Sequence, residues 1–117
     1  MRNINELFQE LSQSKFRTRF KLNDRERQYL TTKGLDTVVH QAESFIKEKL
    51  APAHPQNDGR QFPENGHPVC VALHAVGGSS RNNLARWHAI ERGRSLDDLE
   101  VEYLVSVVKT WLGKQIS

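Results

Sequence analysis

The chain has 117 residues, of which 37% are hydrophobic, so its length and composition fit one domain with one modest core. Its formal net charge of +3 permits an anionic partner without requiring one. Cys70 is the only cysteine, which excludes an intramolecular disulfide, and no signal peptide or membrane-spanning run is evident, so we expect a cytoplasmic protein with no membrane partner.

The N-terminal segment predicts a short amphipathic helix over residues 3–13. Ile4, Leu7, Phe8 and Leu11 recur there at helical spacing. We expect one domain over residues 1–117, in which this first helix, within residues 1–14, is peripheral.

Residues 15–22 (KFRTRFKL) form a basic strip in which cations alternate with aromatic and apolar side chains. One interpretation is a surface that contacts phosphates and stacks on bases, with Arg17, Arg19 and Lys21 as ligand-binding residues. The other is a linker whose phenylalanines anchor it to the core while its cations remain in water.

Two further helices are predicted before the middle of the chain. Asn23 and Glu26 have the spacing of a capping box, so a helix begins there and continues to about residue 32, where Gly34 can end it. Residues 35–50 carry apolar side chains on one face and predict the clearest amphipathic helix of the chain.

Residues 51–67 predict a long irregular loop, because prolines and glycines recur throughout it. Loops of this length in small domains are commonly functional or flexible. This loop contains Asp58, Arg60 and His67, whose side chains are able to bind ligands or transfer protons.

Residues 68–76 are almost entirely apolar and predict a buried element containing His74. Pro68 favours a helix, although three valines leave a strand open. A buried histidine needs a hydrogen-bond partner, because an unsatisfied polar group costs about 1–3 kcal/mol.

The turn at residues 77–80 (GGSS) precedes a predicted helix over residues 81–89. Ser79, Ser80 and Arg81, together with the free N–H groups of the helix start, are candidate ligands for an anion. The spacing places Arg81 nearest His74, so we predict a pocket centred on these two residues, covered by the 54–67 loop, with His88 as a further member.

A final, largely buried helix is predicted over residues 96–114, with Ser95 and Asp98 as its capping pair. Its apolar face is expected to include Leu99, Tyr103 and Leu104. The predicted fold class is therefore an all-α, compact single domain of about five helices with a long irregular loop at 51–67.

Several separated motifs resemble those of the bacterial family called domain of unknown function 4186. They are 15–22 (KFRTRFKL), 33–35 (KGL), 50–53 (LAPA), 57–59 (NDG), 66–69 (GHPV) and His74-Ala75-x5-Arg81-x2-Leu84-x2-Trp87-His88. The resemblance covers most of the chain and implies a fold without an assigned activity.

The resemblance also implies one departure from the family pattern. There, a Cys-Cys-Arg-x-Cys run lies between the two histidines, and here the matching residues are Ser79, Ser80, Arg81 and Asn83. Thiolates beside histidines suggest a soft-metal or redox site. With these replacements we predict no metal and no cofactor.

The leading hypothesis is a small binding module for a phosphate-bearing partner, with nucleic acid as the favoured ligand. It would use the basic strip, Arg60 and a His/Arg pocket. The alternative is a small enzyme with histidine acid/base chemistry, in which His74, His88, His67 and Asp58 are the catalytic candidates beside Arg81. A third hypothesis is an interaction protein, such as an inhibitor, that acts on another protein.

Overall fold

Seven α-helices and one π-helical turn form the fold in the computed structural model, which describes residues Met1–Ser117. The helices are α1 (Ile4–Ser12), α2 (Lys15–Thr18), α3 (Asp24–Lys33), α4 (Leu35–Phe45), α5 (Pro68–Ala75), α6 (Arg81–His88) and α7 (Asp98–Ile116), and the π-helical turn (Ile46–Leu50) extends α4. The all-α prediction is confirmed, and residues 51–67 contain no helix or strand. The number of helices exceeds five partly because the basic strip contains the short helix α2.

Helix α3 begins with the predicted capping box. The backbone N–H of Glu26 donates to Asn23 Oδ1 at 2.8 Å, and that of Asn23 donates to Glu26 Oε1 at 2.9 Å. The other oxygen of Glu26, Oε2, accepts from the backbone N–H of Gly66 at 2.6 Å. The buried carboxylate therefore starts a helix and also fixes the end of the 51–67 loop.

The last helix, α7, packs against α3, α4 and α5, and so occupies the predicted central position. Its capping box uses Asp97 and Glu100 rather than Ser95 and Asp98, so the helix begins slightly later than predicted. Arg94 donates to both carboxylate oxygens of Glu100 and lowers the pKa of that group to about 2. This ion pair fixes the start of the central helix.

Leu99 was expected on the buried face of α7, and that assignment is wrong. Its side chain is 65% exposed, whereas Leu104 is 1% exposed. Residues five positions apart on a helix point about 140° away from each other, so the two leucines cannot share a narrow apolar face.

Residues 68–76 are helical, which resolves the helix-or-strand alternative. Pro68 occupies the first turn of α5, and seven residues of this helix are buried.

None of the helices is long and apolar enough to cross a membrane.

The turn between α5 and α6 brings the backbone of Gly77 against Trp87. Gly77 has φ +68°, and a Cβ atom placed there would lie 2.6 Å from two atoms of the Trp87 side chain. Only glycine combines this backbone angle with so close an approach.

Gly77→Ala should therefore destabilise the protein by at least about 2 kcal/mol, because it adds left-handed strain and a steric clash. Urea unfolding measures this change. Gly113→Ala is the matched control, since Gly113 is helical and a Cβ atom there meets nothing within 4 Å. It should stabilise the protein by about 0.5–1 kcal/mol. Equal effects of the two substitutions would contradict this account of the turn.

Candidate functional site

Arg81 is the most deeply buried cation of the chain, with 1% of its surface exposed. Its Nη1 donates to the carbonyl of Pro52 at 2.9 Å and more weakly to that of Leu50 at 3.4 Å. Its Nη2 donates to the carbonyl of Glu91 at 2.9 Å. The guanidinium therefore joins two backbone segments, residues 50–52 and the residue Glu91 that follows α6.

The end of the π-helical turn explains why the Leu50 carbonyl is available. The backbone N–H of Ala51 donates to Ile46 O at 2.8 Å, and the turn ends at Leu50, so the Leu50 carbonyl has no helical partner. The carbonyl of Ala51 accepts from the backbone N–H of Leu96 at 2.9 Å. Arg81 and Leu96 thus donate hydrogen bonds to the carbonyls at the end of the α4 segment.

Arg81 also lines a cavity of about 410 Å³ between the 51–60 loop and the segment after α6. We call it the Arg81 cavity, and its lining residues are Ala53, His54, Pro55, Asp58, Arg81, Arg92 and Gly93. Asp58 accepts from Arg92 Nη2 at 2.8 Å, and Arg92 Nη1 donates to Asn82 at 2.8 Å. Of the residues predicted for the pocket, Asp58 and Arg81 come together here.

His67 lies outside the Arg81 cavity and caps helix α5. Its Nδ1 accepts from the backbone N–H of Val69 at 3.0 Å, so its Nε2 carries the hydrogen that faces Gln41 Oε1 at 3.2 Å. Its ring also packs between Tyr29 and Phe45, with centroid distances of 5.2 Å to each. Burial lowers the pKa of His67, which favours this neutral capping form.

His74 contacts the basic strip and the 51–67 loop. Its Nε2 is 3.0 Å from the carbonyl of Phe62, and its ring stacks on Phe20 at a centroid distance of 5.6 Å. The backbone carbonyl of His74 accepts from Arg17 Nη1 at 2.6 Å. These partners differ from those of Arg81, and His74 does not line the Arg81 cavity.

His88 is completely buried beside α7. Its Nε2 is 2.9 Å from the carbonyl of Val76, and its Nδ1 is 2.6 Å from the hydroxyl of Tyr103. A carbonyl can only accept, so Nε2 carries the hydrogen and Nδ1 accepts from the tyrosine. Burial lowers the pKa of His88 to about 4.

Ser79 and Ser80 are both buried, and their hydroxyls are occupied by the start of α6. Ser80 Oγ accepts from the backbone N–H of Asn83 at 3.1 Å as the N-cap, and Ser79 Oγ donates to Asn83 Oδ1 at 2.9 Å. Arg60, the other predicted ligand in this region, is exposed on the loop and does not line the Arg81 cavity.

The basic strip lines a second concave region, a groove of about 380 Å³ that we call the basic groove. Its lining residues are Phe8, Leu11, Ser12, Arg17, Thr18, Phe20, Lys21, Ala75, Trp111, Lys114 and Gln115. Three of them are cationic and none is acidic. Arg17 and Lys21 were predicted as ligand-binding residues, whereas Arg19 lies beside the groove and pairs with Glu64 at 3.4 Å.

Sequence reasoning did not find Lys114 and Trp111 as members of this region. Both belong to the end of α7, and the fold brings them to α1 and the basic strip. The backbone N–H of Leu22 donates to Gln115 Oε1 at 3.1 Å, which shows how the two ends of the chain meet. No local pattern could indicate a contact across 93 residues.

The chain belongs to the family described as domain of unknown function (DUF4186), whose sequence profile matches residues 5–113. The match includes every residue of the Arg81 cavity and most of the basic groove. No solved structure matches the chain.

Arg81→Met should destabilise the protein by about 3 kcal/mol or more, because it leaves three backbone carbonyls without their donor. Arg86→Met, an exposed position on the same helix, is the control and should change the free energy of unfolding by less than about 0.5 kcal/mol. Chemical denaturation compares the two variants. A small effect at Arg81 would show that water replaces its hydrogen bonds.

The free energy of unfolding should fall as the pH drops from 6.5 towards 4. Above pH 6.5 His88 is neutral in both states. Below pH 6.5 His88 binds a proton in the unfolded chain. In the folded protein it stays neutral down to about pH 4, because folding lowers its pKa from 6.5 to about 4. This difference amounts to about 3 kcal/mol.

His88→Gln keeps a hydrogen-bond donor and an acceptor but cannot titrate. Between pH 6.5 and 4, the unfolding of the variant should therefore take up about one proton fewer, and its free energy of unfolding should vary less steeply with pH. Unfolding in urea at several pH values between 7 and 4 measures the slope. His67, whose pKa is also lowered, contributes with the same sign and remains in the variant. An unchanged slope would exclude His88 as a source of the acid sensitivity.

Proposed function

We propose that the protein binds nucleic acid in single-stranded form, through the basic groove. The observation that carries the proposal is the composition of that groove, which combines Arg17, Lys21 and Lys114 with aromatic rings and contains no carboxylate. Grooves that follow a single strand use this combination, because cations contact the phosphates and rings stack on the bases.

No carboxylate pairs with the cations of the groove. Six ion pairs connect other parts of the chain, and none of them includes Arg17, Lys21 or Lys114. The pKa of Arg17 is lowered, mainly by partial burial and further by repulsion from Arg86 and Arg19. A polyanion at this surface would relieve that repulsion.

Aromatic rings beside these cations support base stacking. Phe16 is 49% exposed and meets Phe20 edge-on at a centroid distance of 5.5 Å. The guanidinium of Arg19 lies 4.5 Å from the Phe16 centroid and 4.8 Å from that of Phe20. Both guanidinium planes and aromatic faces are surfaces on which unpaired bases stack, and a paired duplex does not present its bases in this way.

The enzyme alternative has less support. The five residues proposed for it are divided between the Arg81 cavity and three separate histidine environments, and each histidine ring is engaged with a partner in the fold. Acid/base catalysis needs a group within hydrogen-bond reach of a substrate, and completely buried His88 lacks that access. The inhibitor hypothesis has no comparable feature in its favour.

Fluorescence anisotropy with short oligothymidylate and oligouridylate probes tests the proposal. The double variant Lys21→Gln, Lys114→Gln should weaken binding of both probes alike, because it removes phosphate contacts and no base readout. The slope of log affinity against log salt should become less negative, and its magnitude should fall by about 1.4 for two lost contacts to a single strand.

The matched control is Lys33→Gln, Lys109→Gln, which changes the net charge equally at two exposed positions outside the groove. It should retain most of the affinity. Arg17 is less suitable for this test, because its guanidinium also bonds the carbonyl of His74. Equal losses in the two double variants, or no binding of either probe at low salt, would contradict the proposal.

Phe16→Ala separates stacking from electrostatics at the same surface. The ring is half-exposed, so its removal should lower the free energy of unfolding only slightly while weakening single-strand binding by about tenfold or more. The salt dependence should stay that of the natural protein. Unaltered affinity would restrict the interaction to phosphate contacts alone.

A further inference from the structure

Arg81 is a buried cation that lacks an acidic partner in the chain. It forms no ion pair, and its Nε has no hydrogen-bond partner although it is fully shielded from solvent. A guanidinium has five N–H donors, and three backbone carbonyls accept from this one. No carboxylate therefore contacts this charge, although those of Glu100 and Asp58 favour it from a distance, and donor capacity remains on the guanidinium.

The Arg81 cavity places further cationic and polar groups beside this side chain. Arg92 lines the same cavity and has a half-exposed side chain. His54, which belongs to the 51–67 loop, also lines the cavity. The volume of about 410 Å³ lies within the range of small-ligand sites. The cavity is therefore large enough for a small molecule, and its walls are positively charged.

Asp58 is the one carboxylate that lines the cavity, and it pairs with Arg92 rather than with Arg81. Its side chain is 33% exposed and belongs to the irregular loop. A carboxylate at this position neutralises part of the cationic wall and can be replaced there by an external anion that offers more acceptor oxygens.

We propose that the Arg81 cavity is a binding site for a small oxyanion, with inorganic phosphate or a phosphate monoester as the chemical class. The anion accepts from Arg92 and displaces the Asp58 carboxylate from it, and the positive charge of Arg81, which lines the same cavity, attracts the anion. This site is independent of the basic groove, because no residue lines both. It brings an anion next to a buried charge that no carboxylate of the chain contacts.

The tetrahedral oxyanion is common to the free ion and to organic phosphates, so both are used as probes. Sodium phosphate and glycerol 3-phosphate are titrated into the isotopically labelled full chain at constant ionic strength, and nuclear magnetic resonance follows the Nε–H signal of Arg81 and the amides of Ala53 and Gly93. We expect saturable shifts that chloride does not produce. Tighter binding of glycerol 3-phosphate assigns an organic ligand, and equal binding assigns the free ion.

Two substitutions with opposite expected effects localise the site. Arg92→Gln should weaken phosphate binding by about tenfold, because a charged hydrogen-bond donor is lost. Asp58→Asn should strengthen binding several-fold, because the competing carboxylate is removed. If the Asp58–Arg92 pair served folding alone, both substitutions would change the free energy of unfolding in the same direction. Phosphate would then shift no signal of either variant.

Arg25→Gln is the matched control, since Arg25 is exposed on α3 and lines neither concave region. It should bind phosphate as the natural protein does. The Lys21→Gln, Lys114→Gln protein should also retain the phosphate site, which separates this proposal from nucleic-acid binding. The proposal is overturned if phosphate leaves the Arg81 Nε–H signal unshifted, or if Arg92→Gln and Arg25→Gln bind phosphate equally.

Discussion

The hydrogen bonds of Arg81 connect two parts of the chain that are distant in sequence. The carbonyls of Leu50 and Pro52 lie where the α4 segment ends and the 51–67 loop begins, and the carbonyl of Glu91 follows α6. Without this guanidinium the carbonyl of Leu50, at the buried end of the π-helical turn, would lack a donor. Because the loop starts at that point, Arg81 also fixes the position of the Arg81 cavity.

The histidines illustrate how reactive residue types serve the fold. His67 caps α5, His74 anchors the loop carbonyl of Phe62, and His88 joins the carbonyl of Val76 to Tyr103. Burial lowers the pKa of His67 and of His88, so the neutral form, with one donor and one acceptor, is the form that satisfies these partners. Their density between residues 66 and 90 therefore reflects a segment that needs many internal polar contacts.

The sequence allowed the helices to be predicted wherever local chemistry decides the structure. Each of these local signals depends on only a few neighbouring residues. They are the capping box of Asn23 and Glu26 and the proline that begins α5, and both are present in the structure. The sequence could not show that Lys114 lines the same groove as Lys21, because this proximity depends on how α7 packs against the start of the chain. Likewise Arg81 was predicted beside His74 from helix rise alone, whereas the carbonyls of Leu50, Pro52 and Glu91 set its direction.

The two basic regions differ in the kind of anion they suit, although a net charge of +3 would suggest no strong preference. Lys21 and Lys114 are exposed on long flexible stems, which suits the proposed contact with a phosphate chain of any sequence. Arg81 is buried, and three carbonyls set its direction, so its guanidinium is held in one geometry. Fixed donors favour a small anion of matching shape, because little ordering is required when it binds. The local arrangement of cations, rather than their number, therefore determines what each region can recognise.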